Sequence, residues 1–298
     1  MSLAWIGVDW GTSNMRAWAM DADGAVIDSG RSDRGMAALK PEQFEPALVE
    51  VIGGWLDGRC DVVCCGMVGA RQGWREADYV AVPARPGAGG AVEAPVQDRR
   101  LRVFILPGMS QADPPDVMRG EETQIAGLVA ARPGWDGVIC LPGTHSKWVE
   151  ISAGEVVSFR TYMTGELFGF LATGSVLRHS VAGEGWDDNA FSAAIDETLS
   201  RPERLAAGLF GIRASGLLRG DDAGTARARL SGLLIGAELA GARPYWLGRE
   251  IVIIGADMLA DRYRQALAAQ GAPARREDAT SMTLAGLAAA WRKLKGLQ

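Results

Sequence analysis

The chain is poor in the residues that announce the commoner chemistries. Its only two histidines, His145 and His179, leave no HExxH pair and no multi-histidine zinc site. The four cysteines, Cys60, Cys64, Cys65 and Cys140, have neither metal-ligand nor disulfide-framework spacing, and three lie in or beside one apolar run, so they read as small buried hydrophobes. There is no GxxxxGK[ST], no GxGxxG after the first strand and no GxSxG elbow. A nucleotide, if bound, is bound by another device. No apolar run approaches the roughly 18 residues of a membrane span, and MSLAWIGVDWG has neither a basic n-region nor a cleavable apolar stretch. Nor is there an excess of positive charge: 31 Lys and Arg stand against 36 Asp and Glu, a net charge of -5, which excludes a whole-chain basic field for nucleic acid. A cytoplasmic protein without membrane or nucleic-acid partner is expected, and a homo-oligomer is compatible with all of this.

What is present is 48% hydrophobic residues, 39 glycines and 298 residues in all, enough for about two domains with buried cores. WIGVD, MRAWAM and AVIDSG read as strand, strand and strand, joined by the tight loop WGTSN and the turn DADG. GVICLPGTHSKWVEISAGEVVSF repeats that order, with Gly143 and Thr144 standing where Gly11 and Thr12 stand in the first copy. Between and after them lie helical patterns: PEQFEPALVEVIGGWL, VMRGEETQIAGLVAAR, TGELFGFLATGSVL, ARLSGLLIGAELAGA, MLADRYRQALAAQ and SMTLAGLAAAWRKL. The alternation predicts an α/β chain of two related lobes, 1–132 and 133–298. The segment 83–95 reads as an irregular connection, and 183–225 carries no assignable period.

A glycine-bearing hairpin can turn its N–H groups toward one anion, and a neighbouring Thr or Ser adds a hydroxyl. Two such hairpins from related lobes could hold a polyphosphate between them. Asp9, closing the first strand, would sit at the mouth of that cradle and could hold hydrated Mg2+, whereas the second copy has Leu141 there. A plain turn for each hairpin, and a loop-capping role for Asp9, are the alternatives.

The succession VDWGTSNMR, MRGEETQIAGL, LPGTHSKWV, ARLSGLLIGAELAG, IVIIGADMLADRYRQAL and TLAGLAAA resembles the sugar kinases of the actin-like ATPase fold. More narrowly, GMVGARQGW, DVMRGEETQ, LPGTHSKWV and TYMTGELF look like the 2-dehydro-3-deoxygalactonokinase family. The resemblance implies two ribonuclease-H-like lobes around a central cleft, and transfer of phosphate from ATP, with Mg2+, to the 6-hydroxyl of a 2-keto-3-deoxy sugar acid. A kinase of another sugar or sugar acid, or a non-catalytic nucleotide-binding sensor of the same fold, stays open beside it.

In carbohydrate kinases of the FGGY group an aspartate follows a glycine at the start of the helix before the second hairpin. Here Gly120-Glu121 falls at that position, so Glu121 is the candidate base, with Glu122 as its rival. For the phosphates the candidates are Gly11, Thr12, Ser13, Asn14 and Arg16 in the first hairpin and Gly143, Thr144, His145 and Lys147 in the second. A sugar acid brings a carboxylate, which favours a fixed cation with a planar fork. Arg71 with Gln72 on the GARQGW loop is the first choice, Arg160 another, and Trp74, like Trp10, could stack on a ligand. The family comparison sets Gly255 and Ala256 under the adenosine, with Asp257 nearby, while Asp257 could equally cap the helix after it.

Overall fold

The computed structural model describes residues 2–297. They form two compact units. One comprises the chain up to Asp136 together with Ile151–Ser158 and everything from Asp278 on; the other comprises Gly137–Glu150 and Phe159–Glu277. The units are thus not the contiguous stretches 1–132 and 133–298.

In the first unit β1 (Trp5–Trp10), β2 (Met15–Met20) and β3 (Val26–Ser32) make the expected meander, followed by helix α1 (Phe44–Ile52) and β4 (Cys60–Cys65). Then come β5 (Tyr79–Ala81), β6 (Val92–Glu93), β7 (Leu101–Ile105), β8 (Gly108–Gln111), β9 (Asp116–Met118) and helix α2 (Glu121–Ala131). The main sheet has the order β3-β2-β1-β4-β7-β6, and β5, β8 and β9 form a separate small one. Strand β1 is antiparallel to β2 and parallel to β4, so Asp9 lies beside Cys65 where the two parallel strands end. β1 is covered on both faces and therefore nearly all apolar. On one face Trp10 meets Phe44 of α1 edge-on, with ring centroids 5.3 Å apart.

The second large sheet consists of β10 (Gly137–Leu141), β11 (Ser146–Ser152), β12 (Glu155–Tyr162), β13 (Ile251–Gly255) and β14 (Ala274–Asp278), in the order β12-β11-β10-β13-β14, and most of its residues belong to the second unit. That is the order of the first sheet over again, third-second-first-fourth, so the repeat seen in the residues is a repeat of fold. Mixed α/β architecture with two ribonuclease-H-like sheets is what the chain has. Helices α3 (Thr164–Gly174), α4 (Arg178–Val181), α5 (Asp188–Ser200), α6 (Leu205–Arg219), α7 (Ala223–Gly241), α8 (Arg243–Trp246) and α9 (Asp257–Ala269) complete the unit. The stretch 183–225 without a readable period holds α5 and α6. Helix α5 packs closely on α7 because Gly232 and Gly236 carry no side chain: a Cβ at Gly232 would run into the Phe191 carbonyl, and one at Gly236 into Thr198.

The last helix, α10 (Ala279–Lys295), packs in the first unit, which is why the division is not contiguous. It starts under a cap in which Asp278 accepts from the Ser281 N–H. It crosses α2 at backbone distance: a Cβ at Gly286 would collide with the Thr123 carbonyl, and one at Gly127 with the Met282 carbonyl. Farther along, Trp291 stacks on Trp5 of β1 at 5.3 Å and 11°. All four cysteines are buried and unpaired with one another. No helix of the described residues is long and apolar enough to cross a membrane. Because α2 and α10 cannot separate without losing their packing on the sheet, Gly286→Ala is expected to destabilise the first unit by about 1–3 kcal/mol, read as a lowered urea midpoint.

Candidate active site

Four chain segments meet at one small cleft of the first unit, of about 190 Å³, lined by Asp9, Gly11, Gly66, Met67, Arg119, Gly120, Glu121, Gln124 and Thr283. Two glycines make the convergence possible. Gly66, after β4, has φ +91°, and a Cβ there would press on the Trp10 carbonyl 2.7 Å away. Gly120, before α2, has φ +108°, and its missing Cβ would lie 3.3 Å from the Gly66 Cα. Any L residue at either place would be strained and would push α2 away from the strand ends.

The two glutamates of α2 part company at this point. Glu121 lines the cleft, and its carboxylate accepts from the Arg119 N–H at 3.1 Å, which holds it at the helix start. Glu122 turns behind the helix, 2% exposed, accepting from the Gly120 N–H at 2.6 Å and from the Thr123 hydroxyl at 3.2 Å. Burial, with the neighbouring Glu121 charge adding to it, pushes the Glu122 carboxyl up to about 8, against an ordinary value of 4.5. The cleft therefore takes Glu121 as its carboxylate.

Asp9 is engaged as well as exposed to the cleft. Its Oδ2 receives Arg16 Nη2 at 2.7 Å, and Arg16 Nη1 reaches Thr280 of α10 at 3.2 Å. Its Oδ1 receives the Cys65 thiol at 3.9 Å. Arg16 is thus tied to Asp9 and α10. In the first hairpin the Gly11 N–H is not available to an anion, because it donates to the Asn14 carbonyl at 2.9 Å. The Gly11 and Thr12 carbonyls are taken by the N–H groups of Met36 and Ala37. Thr12, Ser13 and Asn14 are the exposed residues of this turn. Neither Gly11 nor Gly143 has a positive φ. A Cβ would find room at either: at Gly143 it would meet nothing within 4 Å, and at Gly11 only the Asn14 carbonyl at 3.6 Å.

In the second unit a larger cavity of about 540 Å³ opens at the other hairpin and is lined by Gly143, Thr144, Trp186, Arg227, Ser231, Arg262 and Tyr263 among others. The guanidinium of Arg262 lies 3.5 Å over the Trp186 ring and pairs with Asp188 at 3.1 Å, which makes a flat cationic face. The hairpin is fixed from beneath. Buried Glu238 of α7 accepts from Trp148 Nε1 at 2.8 Å and from the Tyr263 hydroxyl at 2.7 Å. With the only Tyr263 proton so used, the Ser146 hydroxyl, at the hairpin's end, donates to Tyr263 at 2.9 Å. Burial raises the Glu238 carboxyl, while these donors oppose the shift. Helix α3 closes the hairpin's flank, its Glu166 N–H on the Thr144 carbonyl and its Glu166 side chain on His145 at 2.5 Å.

Several expected residues lie elsewhere. Trp74 is 8% exposed and stacks on Phe44 against Trp10, itself fully buried, so both are core and neither presents a face to a ligand. Arg71 and Gln72 are exposed on the turn after Val68 and do not line the cleft. Arg160 is exposed on β12, away from the lining of the described cavities. Lys147 is 4% exposed within β11, a strand buried on both faces from Ser146 to Val149. At β13 a Cβ on Gly255 would press on Pro142 at 3.0 Å, so that glycine serves packing between β13 and the second hairpin. Ala256, not Asp257, is the N-cap of α9, and Asp257 is exposed and paired with Arg276 at 3.3 Å. The cavity wall on α9 begins at the next residues, Met258 and Leu259, and continues a turn later at Arg262 and Tyr263. Trp186 and Arg262 went unread in the residues, and Arg119 stood there only as a charge near the two glutamates; the sequence signal for the first pair was a tryptophan set among Gly185 and two aspartates.

The family model for 2-keto-3-deoxy-galactonokinase matches residues 9–290. The chain is 41% identical over 300 residues to a 2-dehydro-3-deoxygalactonokinase homologue of Rhizobium meliloti strain 1021, covering 96% of each. With the 2-dehydro-3-deoxygalactonokinase of Escherichia coli K12 it shares 37% identity over 279 residues, 91% of each. A crystal structure carrying the same enzyme name, from Sinorhizobium meliloti, superposes with a TM-score of 0.92 at 40% identity, over 98% of this chain and all of that one. The family match makes the protein a sugar kinase of mixed α/β fold. Within that class, the chain belongs to the 2-keto-3-deoxy-galactonokinase family.

The burial of Glu122 has a measurable sign. Its folded value lies above its unfolded one, so between about 4.5 and 8 the folded state holds a proton that the unfolded state has released, and stability falls as pH rises through that window. Urea midpoints measured from pH 5 to 8 are expected to decline less in Glu122→Gln than in the parent; equal slopes would place the titrating group elsewhere.

Proposed function

We propose that this protein transfers the γ-phosphoryl group of ATP to the 6-hydroxyl of 2-dehydro-3-deoxy-D-galactonate. Family membership supports the reaction class, and one local observation supports the chemistry: Glu121 and Asp9 share a cleft in which Glu121 is held by a backbone N–H and Glu122 is turned away. In this reading Glu121 orients the acceptor hydroxyl and takes its proton as the new O–P bond forms and the bond from the γ-phosphorus to the β-bridging oxygen breaks, leaving ADP. A loose transition state asks little else of the protein than aim and charge neutralisation.

Magnesium fits the donor set. No group of three or more His, Cys, Asp or Glu able to hold a metal occurs among the described residues, and a magnesium ion carried by phosphates needs only one or two carboxylates from the protein. Asp9 would supply one, through the oxygen that Arg16 does not occupy. When bound, the ion would neutralise β- and γ-phosphate oxygens. The nucleotide belongs with the second unit in this reading. Thr144 and the open backbone at Gly143 suit phosphate, and the Arg262–Trp186 face suits a purine ring. A cytoplasmic setting accords with an ATP-dependent catabolic step.

ADP release measured with 2-dehydro-3-deoxygalactonate and its gluconate epimer tests the proposal; turnover with neither acceptor would overturn it. Glu121→Gln is expected to lower kcat about 100-fold or more with little change in acceptor KM, and Glu122→Gln far less. The reverse ranking would move the base to Glu122. Asp9→Asn should raise the magnesium concentration needed for half-maximal turnover.

A further inference from the structure

We infer that the groove between α2, α10 and the loop at 85–91 is a binding site for a small, largely apolar monoanion, separate from the cleft of Asp9 and Glu121 and coupled to it through the first turn of α2. The groove holds about 800 Å³, within the range of small-molecule sites, and lies wholly in the first unit. Its origin is local. The helices are drawn together at Gly127 and Gly286, yet toward the groove they carry alanines, Ala126 and Ala130 on one and Ala289 and Ala290 on the other, too short to fill the space. Leu106 and Pro107 close the floor.

The charge around this apolar wall has one sign. Arg85 and Lys293 stand on the lining, and the only acid on it is Glu122, already bonded to the Gly120 N–H and the Thr123 hydroxyl. Lys293 Nζ donates to the Gly87 carbonyl at 2.8 Å and the Gly89 carbonyl at 3.1 Å, which secures the loop and leaves one of its three donors. Arg85 is exposed and makes no ion pair among the described residues. A sugar or a polyphosphate would strand its hydroxyls or charges against alanine, leucine and proline; an apolar body with one carboxylate matches both the wall and the cations.

Two sites share two helices. Helix α2 gives Glu121 and Gln124 to the cleft but Glu122, Thr123 and Ala126 to the groove, while α10 gives Thr283 to the cleft and Gly286 and Ala289 to the groove. An occupant bearing on Glu122 and Thr123 bears on the turn that aims Glu121, so the groove is an effector site. This coupling rests on the kinase reading above; the binding does not.

The probe is 2-naphthoate, titrated calorimetrically into the full chain, with neutral 2-naphthalenemethanol as control. Expected are one saturable site, at least tenfold weaker binding in Arg85→Glu and in Ala289→Trp, weaker binding of the alcohol, and a change of at least twofold in kcat or acceptor KM at saturation. Circular dichroism verifies that the variants are folded, and Arg85→Glu, at an exposed position, decides if Ala289→Trp is not. Absence of saturation at millimolar probe, undiminished binding in Arg85→Glu, or equal binding of the alcohol would overturn the site. Binding with unchanged kinetics would overturn the coupling, and should the chain phosphorylate no sugar acid, the titrations still judge the site.

Discussion

Much of the first unit depends on one close approach: the backbone at Gly120 touching the backbone at Gly66, both with positive φ. Parallel strands β1 and β4 bring Asp9 and Gly66 side by side, and only a chain without side chains at these two positions lets the start of α2 reach them. The same contact sets the helix dipole's positive end at the cleft, where the Glu121 carboxylate is at home. The crossing of α2 and α10 at Gly127 and Gly286 then fixes the direction in which that helix leaves, and brings Thr283 and Thr280 to the cleft's edge.

Two adjacent carboxylates with different fates follow from that geometry. Residues one apart on a helix point about 100° from each other, so a helix laid along a cleft can expose one and bury the other. Burial lifts Glu122 to about 8, so at neutral pH Glu121 has a largely protonated neighbour. Glu122 also forms part of the wall of the larger groove, so the chemistry on one side of α2 and the space on the other share a turn of helix.

The second unit solves a different problem, holding an exposed hairpin still. The hairpin glycine at 143 has open space around it, and its rigidity comes from below, through Ser146, Tyr263, Trp148 and Glu238, and from the side, through the first turn of α3. A buried carboxylate accepting several hydrogen bonds is costly to disturb, because any partner lost leaves a buried polar group unsatisfied.

How much was legible in the residues depends on the range of the interaction. The strand–loop–strand repeats, the helices with clear apolar spacing, the buried cysteines and Asp9 at the end of its strand all follow from local pattern, since period and turn chemistry act within a few residues. The motif strings carried the family for the same reason. Side-chain direction and long-range pairing were not local. That Trp74 is core, that the Gly11 N–H is spent within its own turn, that Arg16 is bound to Asp9, that Asp257 is no cap and that the nucleotide-sized cavity has a Trp186–Arg262 wall were decided only when distant segments met. Local pattern in the residues set the repeated strands and the clearly spaced helices, though not α5 and α6 within 183–225; folding decided which of two neighbouring glutamates faces the cleft and that the last helix returns to the first unit, because burial and close packing are properties of surfaces that only folding brings together.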